Sequence, residues 1–272
     1  MQLPEPDEVK EEIDGMIFGN IFHDTMEALY KPLVGKVVTR KNLENISNNK
    51  VLIENEIHKK IAKNYFREKE ESIKSVVLEG KTLLIYENIK TYLKQLLKVD
   101  TELTPFTLVS VEEKYKTQIG ISVNGVNNTI YIGGKTDRVD RVNGSLRVLD
   151  YKTGNVKSKS FKEVGDLFMK DLKEPKKEVL QAMIYTWVLW HNLNETNIKP
   201  GIYSLKDLFK DGFNPEIAWE KHEFSFNELI ADFETGLKIL LEEIYSPNNI
   251  FVQTPHVEHC SYCAYKTICQ RF

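Results

Sequence analysis

The first hundred residues place apolar side chains at helical spacing among charged ones, with few breakers. This pattern predicts helices over 7–30, 50–66 and 69–98. After Pro105 the period changes. FTLVSVEEKY, TQIGISV, TIYIGG, KTDRVDRV and SLRVLDYK are short β-branched runs punctuated by Asn and Gly, which predicts a block of strands. Lysines then crowd residues 157–177. Beyond them EVLQAMIYTWVLWHNL reads as a buried helix, PGIYSL and IAWEKHEFSF as strands, and NELIADFETGLKILLEEIY as a closing helix. Helices thus flank one central mixed sheet, an α/β architecture. The chain divides into a helical part over 1–104, an α/β core over 105–252 and a tail over 253–272, all read as one domain.

Asn143-Gly144 lies between two of the predicted strands, and a two-residue type I′ turn there fixes the register. Val142 then faces Ser145, Asp140 faces Arg147, Val139 faces Val148, and Asp137 faces Asp150. Asp140 and Arg147 form an ordinary stabilising contact on the opposite side of the hairpin. Lys135 and Lys152 fall on the same side as the two aspartates, because side chains alternate with period two. Like charges directly opposed on antiparallel strands destabilise a sheet. Protonation of one aspartate, neutralisation by lysine or a bridging divalent cation would offset the repulsion, as would solvation at a frayed hairpin end. Oxygen ligands at this spacing suit Mg²⁺ or Mn²⁺, and Lys152 lies beside the carboxylates on Asp150's own strand.

Composition narrows the classes. With 272 residues and 41% hydrophobic content the chain can bury a substantial core. The longest strongly apolar run, MIYTWVLW, is too short to span a bilayer, and no basic-then-apolar leader opens the sequence, so the expectation is a cytoplasmic protein with no membrane partner. A net charge of −3 leaves any contact with DNA to local lysines or bound metal. Lys157, Lys159 and Lys162 follow the second aspartate strand and could meet phosphates, or simply form a solvated loop. GGKT at 133–136 imitates the end of a phosphate-binding loop. That loop requires a glycine where Thr129 stands and a helix afterwards, so no ATPase motor is expected.

GNIFHDTMEALY, GGKTDRVDRV, LDYKTG and QAMIY, in that order from residue 19 to 185, resemble the PD-(D/E)XK nuclease superfamily, in particular RecB-like nuclease domains. Thr136 replaces the usual proline before the first acid. The resemblance implies a restriction-endonuclease-like fold and DNA as substrate. Asp137, Asp150, His23 and the carbonyl of Tyr151 would be metal ligands, and Lys152 would position the attacking water or stabilise transition-state charge. Gln181 and Tyr185, four apart on one helix face, would orient the site and contact the strand. Trp187 and Trp190 are read as core packing. Glu112 or Glu113 could add a carboxylate; only one can face the site, and the resemblance favours Glu112. The expected activity is Mg²⁺-dependent hydrolysis of DNA phosphodiesters in a recombinational-repair helicase–nuclease with a helicase partner. The alternatives are a DNA-binding module that does not cleave and a metal-stabilised interaction module.

The tail brings Cys260, Cys263 and Cys269 close together in sequence as CSYCAYKTIC. Such a set suits zinc, with His256 or His259 as a further ligand, or an iron–sulfur cluster. Reduced thiols without a metal are the plain alternative. The resemblance to AddB-type domains implies a 4Fe-4S cluster whose fourth cysteine lies upstream of the motif histidine. None occurs there, so the chain is expected to be a fragment of a longer protein.

Overall fold

The structure, a computed structural model, describes residues 15–68, 77–169, 172–220, 222–250, 252–261 and 263–271. Four helices come first: α1 (Gly15–Tyr30), α2 (Arg40–Asn48), α3 (Lys50–Asn64) and α4 (Lys81–Leu103). All three predicted helices are present, as α1, α3 and α4, while the expected extensions of the first and third over 7–14 and 69–76 lie outside the described residues. α4 begins after Gly80 and runs past 98 to Leu103. α2 was not anticipated. Its N-terminus is fixed by Thr39, whose hydroxyl accepts from the Asn42 amide while Asn42 Oδ1 accepts from the Thr39 amide at 2.9 Å. That is a capping box with Asn in the place of the usual Glu or Gln.

Strands follow: β1 (Val37–Val38), β2 (Phe106–Val123), β3 (Val126–Val142), β4 (Ser145–Lys152), β5 (Ser160–Phe161), β6 (Ile198–Ser204) and β7 (Ala218–Trp219), with helices α5 (Lys177–Leu193) and α6 (Phe226–Tyr245). β1, β2, β3, β4 and β6 form a mixed sheet in that order, flanked by helices. Runs that looked like separate strands in the sequence join into β2 and β3, whose turn at Asn124-Gly125 takes positive φ at both residues. The expected strand over IAWEKHEFSF reduces to Ala218 and Trp219, and α6 already begins at Phe226. After Trp219 no apolar residue occurs until Phe224, so a strand continuing there would have no apolar face to bury.

The Asn143-Gly144 turn has φ of 48° and 82°, as a type I′ turn requires. The β3–β4 ladder pairs Val142 with Ser145, Asp140 with Arg147, Val139 with Val148 and Arg138 with Leu149.

By contact the chain forms two units. One comprises residues 1–113, 136–156 and 202–215; the other comprises 114–135, 157–201 and 216–272. In the first, α1 buries Ile21, Phe22, Met26 and Leu29, and α4 buries Ile85, Ile89, Leu93, Leu96 and Leu97, both at helical spacing. The α4 stripe ends on a charge. Asp100 is fully buried and accepts from Tyr30 Oη at 2.6 Å, Tyr203 Oη at 2.9 Å and Arg138 Nη1 at 2.5 Å. Arg138 continues to Asp140 at 2.6 Å, and Arg147 grips both oxygens of Asp140 at 2.7 and 2.8 Å. The Asp140–Arg147 contact is therefore no ordinary pair but the end of a buried four-residue charge chain.

Candidate metal centre

The site lies within the first unit and draws on α1, β2, β3 and β4. His23 belongs to the α1 turn that also buries Phe22 and Met26, so helix packing fixes its position. Its Nδ1 lies 3.2 Å from Asp137 Oδ1 and 3.3 Å from Glu112 Oε1. One donor atom from each of these three residues lies within 4.8 Å of the others. Among the described residues this is the one group of three or more such side chains with that convergence.

Glu112 was only a weakly favoured candidate from sequence, and the reason is visible in the backbone. It sits inside β2 with φ of 51°, a left-handed conformation rare for a non-glycine residue in a strand. Around it the burial alternation changes phase, from even positions at Leu108 and Ser110 to odd positions at Ile119 and Ile121. This is how a β-bulge behaves: one extra residue re-aims the side chains that follow. Simple alternation cannot assign the inward glutamate across such a point.

Asp137 is held at its other oxygen, where Oδ2 accepts from the Tyr151 amide at 2.6 Å. Tyr151 also packs its buried ring edge-on to His23 and Phe22, with centroids 5.9 Å away in each case. One residue thus orients two candidate ligands. Thr136, in the position of the absent proline, donates through Oγ1 to the Glu113 carbonyl at 3.4 Å, tying β3 to β2 beside the bulge. A proline could not make that bond, and proline is disfavoured within central strands.

Asp150 is buried and forms an ion pair with Lys152, Nζ to Oδ2 at 2.8 Å. Burial first, and the negative charge of Asp137 second, raise its pKa to about 6 against the pull of Lys152 and His23. On His23, burial acts to lower the pKa, but hydrogen bonds and charge from Asp137 and Glu112 outweigh it and raise the value to about 10. The imidazolium therefore stands where positive charge is wanted. If His23 instead acts as a neutral ligand, Glu112, Asp137 and Asp150 leave a carboxylate excess that Lys152 alone does not balance. A hard divalent cation fits that donor set of oxygens and one imidazole nitrogen.

The other predicted residues sit outside this cluster. Gln181 and Tyr185 lie on α5 in the second unit, where Gln181 Nε2 donates to Tyr185 Oη at 3.2 Å. A Cβ on Gly134 would lie 2.7 Å from the Tyr185 ring, so that glycine makes room for it. Trp187 is buried and donates to Glu234 at 3.0 Å, and Trp190 donates to Asn227 at 2.9 Å. Lys157 is paired with Glu174 at 2.5 Å. Cys260 and Cys269 are half-buried and Cys263 is exposed, with no disulfide among them. Among the described residues these sulfurs and the neighbouring histidines form no convergent ligand group. No helix among the described residues is long and apolar enough to cross a membrane.

No curated protein matches the chain significantly. The crystal structure of SSO0001 aligns over 95% of this chain and 98% of its own at 15% identity, with a TM-score of 0.34, a likeness too weak to carry an argument. The sequence model of the PD-(D/E)XK nuclease superfamily, whose members use divalent metals, matches residues 1–270, and the chain belongs to that superfamily.

Proposed function

We propose that this chain is a Mg²⁺- or Mn²⁺-dependent deoxyribonuclease of the RecB/AddB-like branch, working as the nuclease part of a recombinational-repair helicase–nuclease. The observation that carries the catalytic part is the convergence of His23, Glu112 and Asp137, in the unit that also holds the Asp150–Lys152 pair. The branch and the helicase partner rest on the motifs GNIFHDTMEALY, GGKTDRVDRV, LDYKTG and QAMIY and on the cysteine tail.

His23, Glu112, Asp137 and Asp150 would hold the metal, with the Tyr151 carbonyl as a further oxygen. When bound, the ion lowers the pKa of water and neutralises charge on the phosphoryl oxygens. The protein's own groups set the geometry. The Tyr151 amide fixes Asp137 so that Oδ1 faces His23, and packing of α1 against the Tyr151 ring fixes the imidazole. Lys152, anchored through Nζ by Asp150, offers a fixed positive charge to the phosphate as negative charge develops on it. Hydrolysis adds water oxygen to phosphorus and breaks one phosphorus–oxygen ester bond, with a proton going to the leaving oxygen. Gln181 and Tyr185 contribute to strand contact. A 4Fe-4S cluster on Cys260, Cys263 and Cys269, completed by a ligand from elsewhere, belongs to the same reading.

The test is cleavage of end-labelled linear and closed circular DNA with Mg²⁺, Mn²⁺ or EDTA. Metal-dependent product that disappears with Asp150→Ala is expected. Metal binding without cleavage of either single- or double-stranded substrate would leave a DNA-binding module on the same fold.

A further inference from the structure

The ribbon formed by Lys114–Lys135 in the second unit has two unlike faces. Its inner face is occupied. Ile119 and Ile121 are buried, Gly134 receives the Tyr185 ring, Asn192 donates to the Lys116 carbonyl at 3.1 Å, and Glu242 accepts from the Ser122 amide at 2.8 Å. These contacts seat the ribbon on α5 and α6. The outer face exposes Lys114, Lys116, Tyr131, Gly133 and Lys135 in alternation.

Charge on this segment departs from that of the chain. The whole protein carries a net −3, yet from Lys114 to Lys135 there are three lysines and no aspartate or glutamate. Tyr131 is 69% exposed, with Lys116 Nζ 5.5 Å from its ring centroid. Beside it, Gly133 has no side chain and leaves no room for one, since a Cβ would lie 2.2 Å from the Tyr115 carbonyl oxygen. The result is a strip with no carboxylate of its own and an open aromatic ring among cations. A polyanion complements the charge, and a polyanion with free π-faces complements the ring. Unpaired bases offer such faces; paired bases in a duplex keep theirs stacked.

We propose that this outer face is a platform for single-stranded DNA, on which Tyr131 stacks a base and Lys114, Lys116 and Lys135 meet the flanking phosphates. The proposal rests on the DNA reading above and deepens it by naming the form of the substrate and a surface that holds it.

The experiment measures fluorescence anisotropy of labelled oligothymidylate, and of a duplex of equal length, with the full chain carrying Asp150→Ala. That background removes cleavage from the readout. Failure of the catalytic reading would appear separately, as cleavage that persists in Asp150→Ala itself. Adding Tyr131→Ala is expected to weaken oligothymidylate binding by about fivefold to 150-fold, while Tyr131→Phe retains it. Replacing the three lysines by alanine is expected to reduce the slope of log affinity against log salt by about 2. Unchanged oligothymidylate affinity in Tyr131→Ala, or an equal loss on duplex, overturns the proposal.

Discussion

Asp137 and Asp150 lie at continuing positions of a ladder whose register already agrees with the turn from Val142 to Arg138, and each side chain has a different restraint. Opposed like charges cost a sheet up to about 1 kcal/mol. Asp150→Asn should therefore be about 1 kcal/mol more stable than the natural sequence in EDTA, a rise of about 2–4 °C in Tm. The same substitution should reduce the stabilisation gained from millimolar Mg²⁺, since a ligand stabilises only as far as it binds the folded state. Thermal melts with and without Mg²⁺ check both; identical melting behaviour in the two proteins would remove the case for a carboxylate pair built to hold a cation. The neighbouring glutamates give a second test. The aspartates could be read from the sequence because a two-residue turn sets parity for its whole hairpin. Glu112 and Glu113 could not be separated, because the left-handed residue in β2 resets parity locally. Glu112→Gln should lower cleavage at limiting Mg²⁺ by about tenfold or more, and Glu113→Gln should stay within about twofold. The reverse ranking would show that the wrong carboxylate has been assigned to the site.

At the scale of elements, the parts readable from sequence are those with an internal clock. β4 begins and ends where SLRVLDYK does, and α5 and α6 follow their apolar periodicity to within a residue. α2 was missed because its start signal, Thr39 with Asn42, uses an unusual capping partner and its sequence buries only Leu43. The QAMIY helix shows what the sequence does not disclose about a readable element. Tyr185 could be placed on a helix face by counting, but not against Gly134, which is distant in sequence. Gly134→Ala forces a carbon to within 2.7 Å of that ring, an overpacking that should cost about 1–3 kcal/mol. Removing the ring should remove most of the cost. Gly134→Ala is therefore expected to destabilise the Tyr185→Ala protein far less than the natural one, and denaturant melts of the four proteins in that cycle measure the coupling. Additive effects would mean that the ring does not depend on the glycine.

At the scale of the whole molecule, the buried chain Asp100, Arg138, Asp140, Arg147 ties α4 to β3 and β4 within the first unit. Local pattern recognises only its last link. Nothing in the local pattern singles out Asp100 or Arg138 until the fold brings them together beneath Tyr30 and Tyr203. Desolvation opposes the charge on Arg138, but the facing carboxylates of Asp100 and Asp140 outweigh it and hold the guanidinium firmly protonated. Such a group is costly to remove singly. Arg138→Met would leave Asp100 without its cation in a fully buried position, and Asp140 with only Arg147. A loss of about 3–5 kcal/mol is expected, roughly 10 °C in Tm for a chain of this length. Part of that loss is the stranded carboxylate rather than the missing bond, so Asp100→Asn added to Arg138→Met should recover stability. The recovery distinguishes a charge network from simple packing: if Arg138→Met destabilises equally whether Asp100 is kept or replaced by asparagine, the interior of this unit is held by its apolar contacts alone.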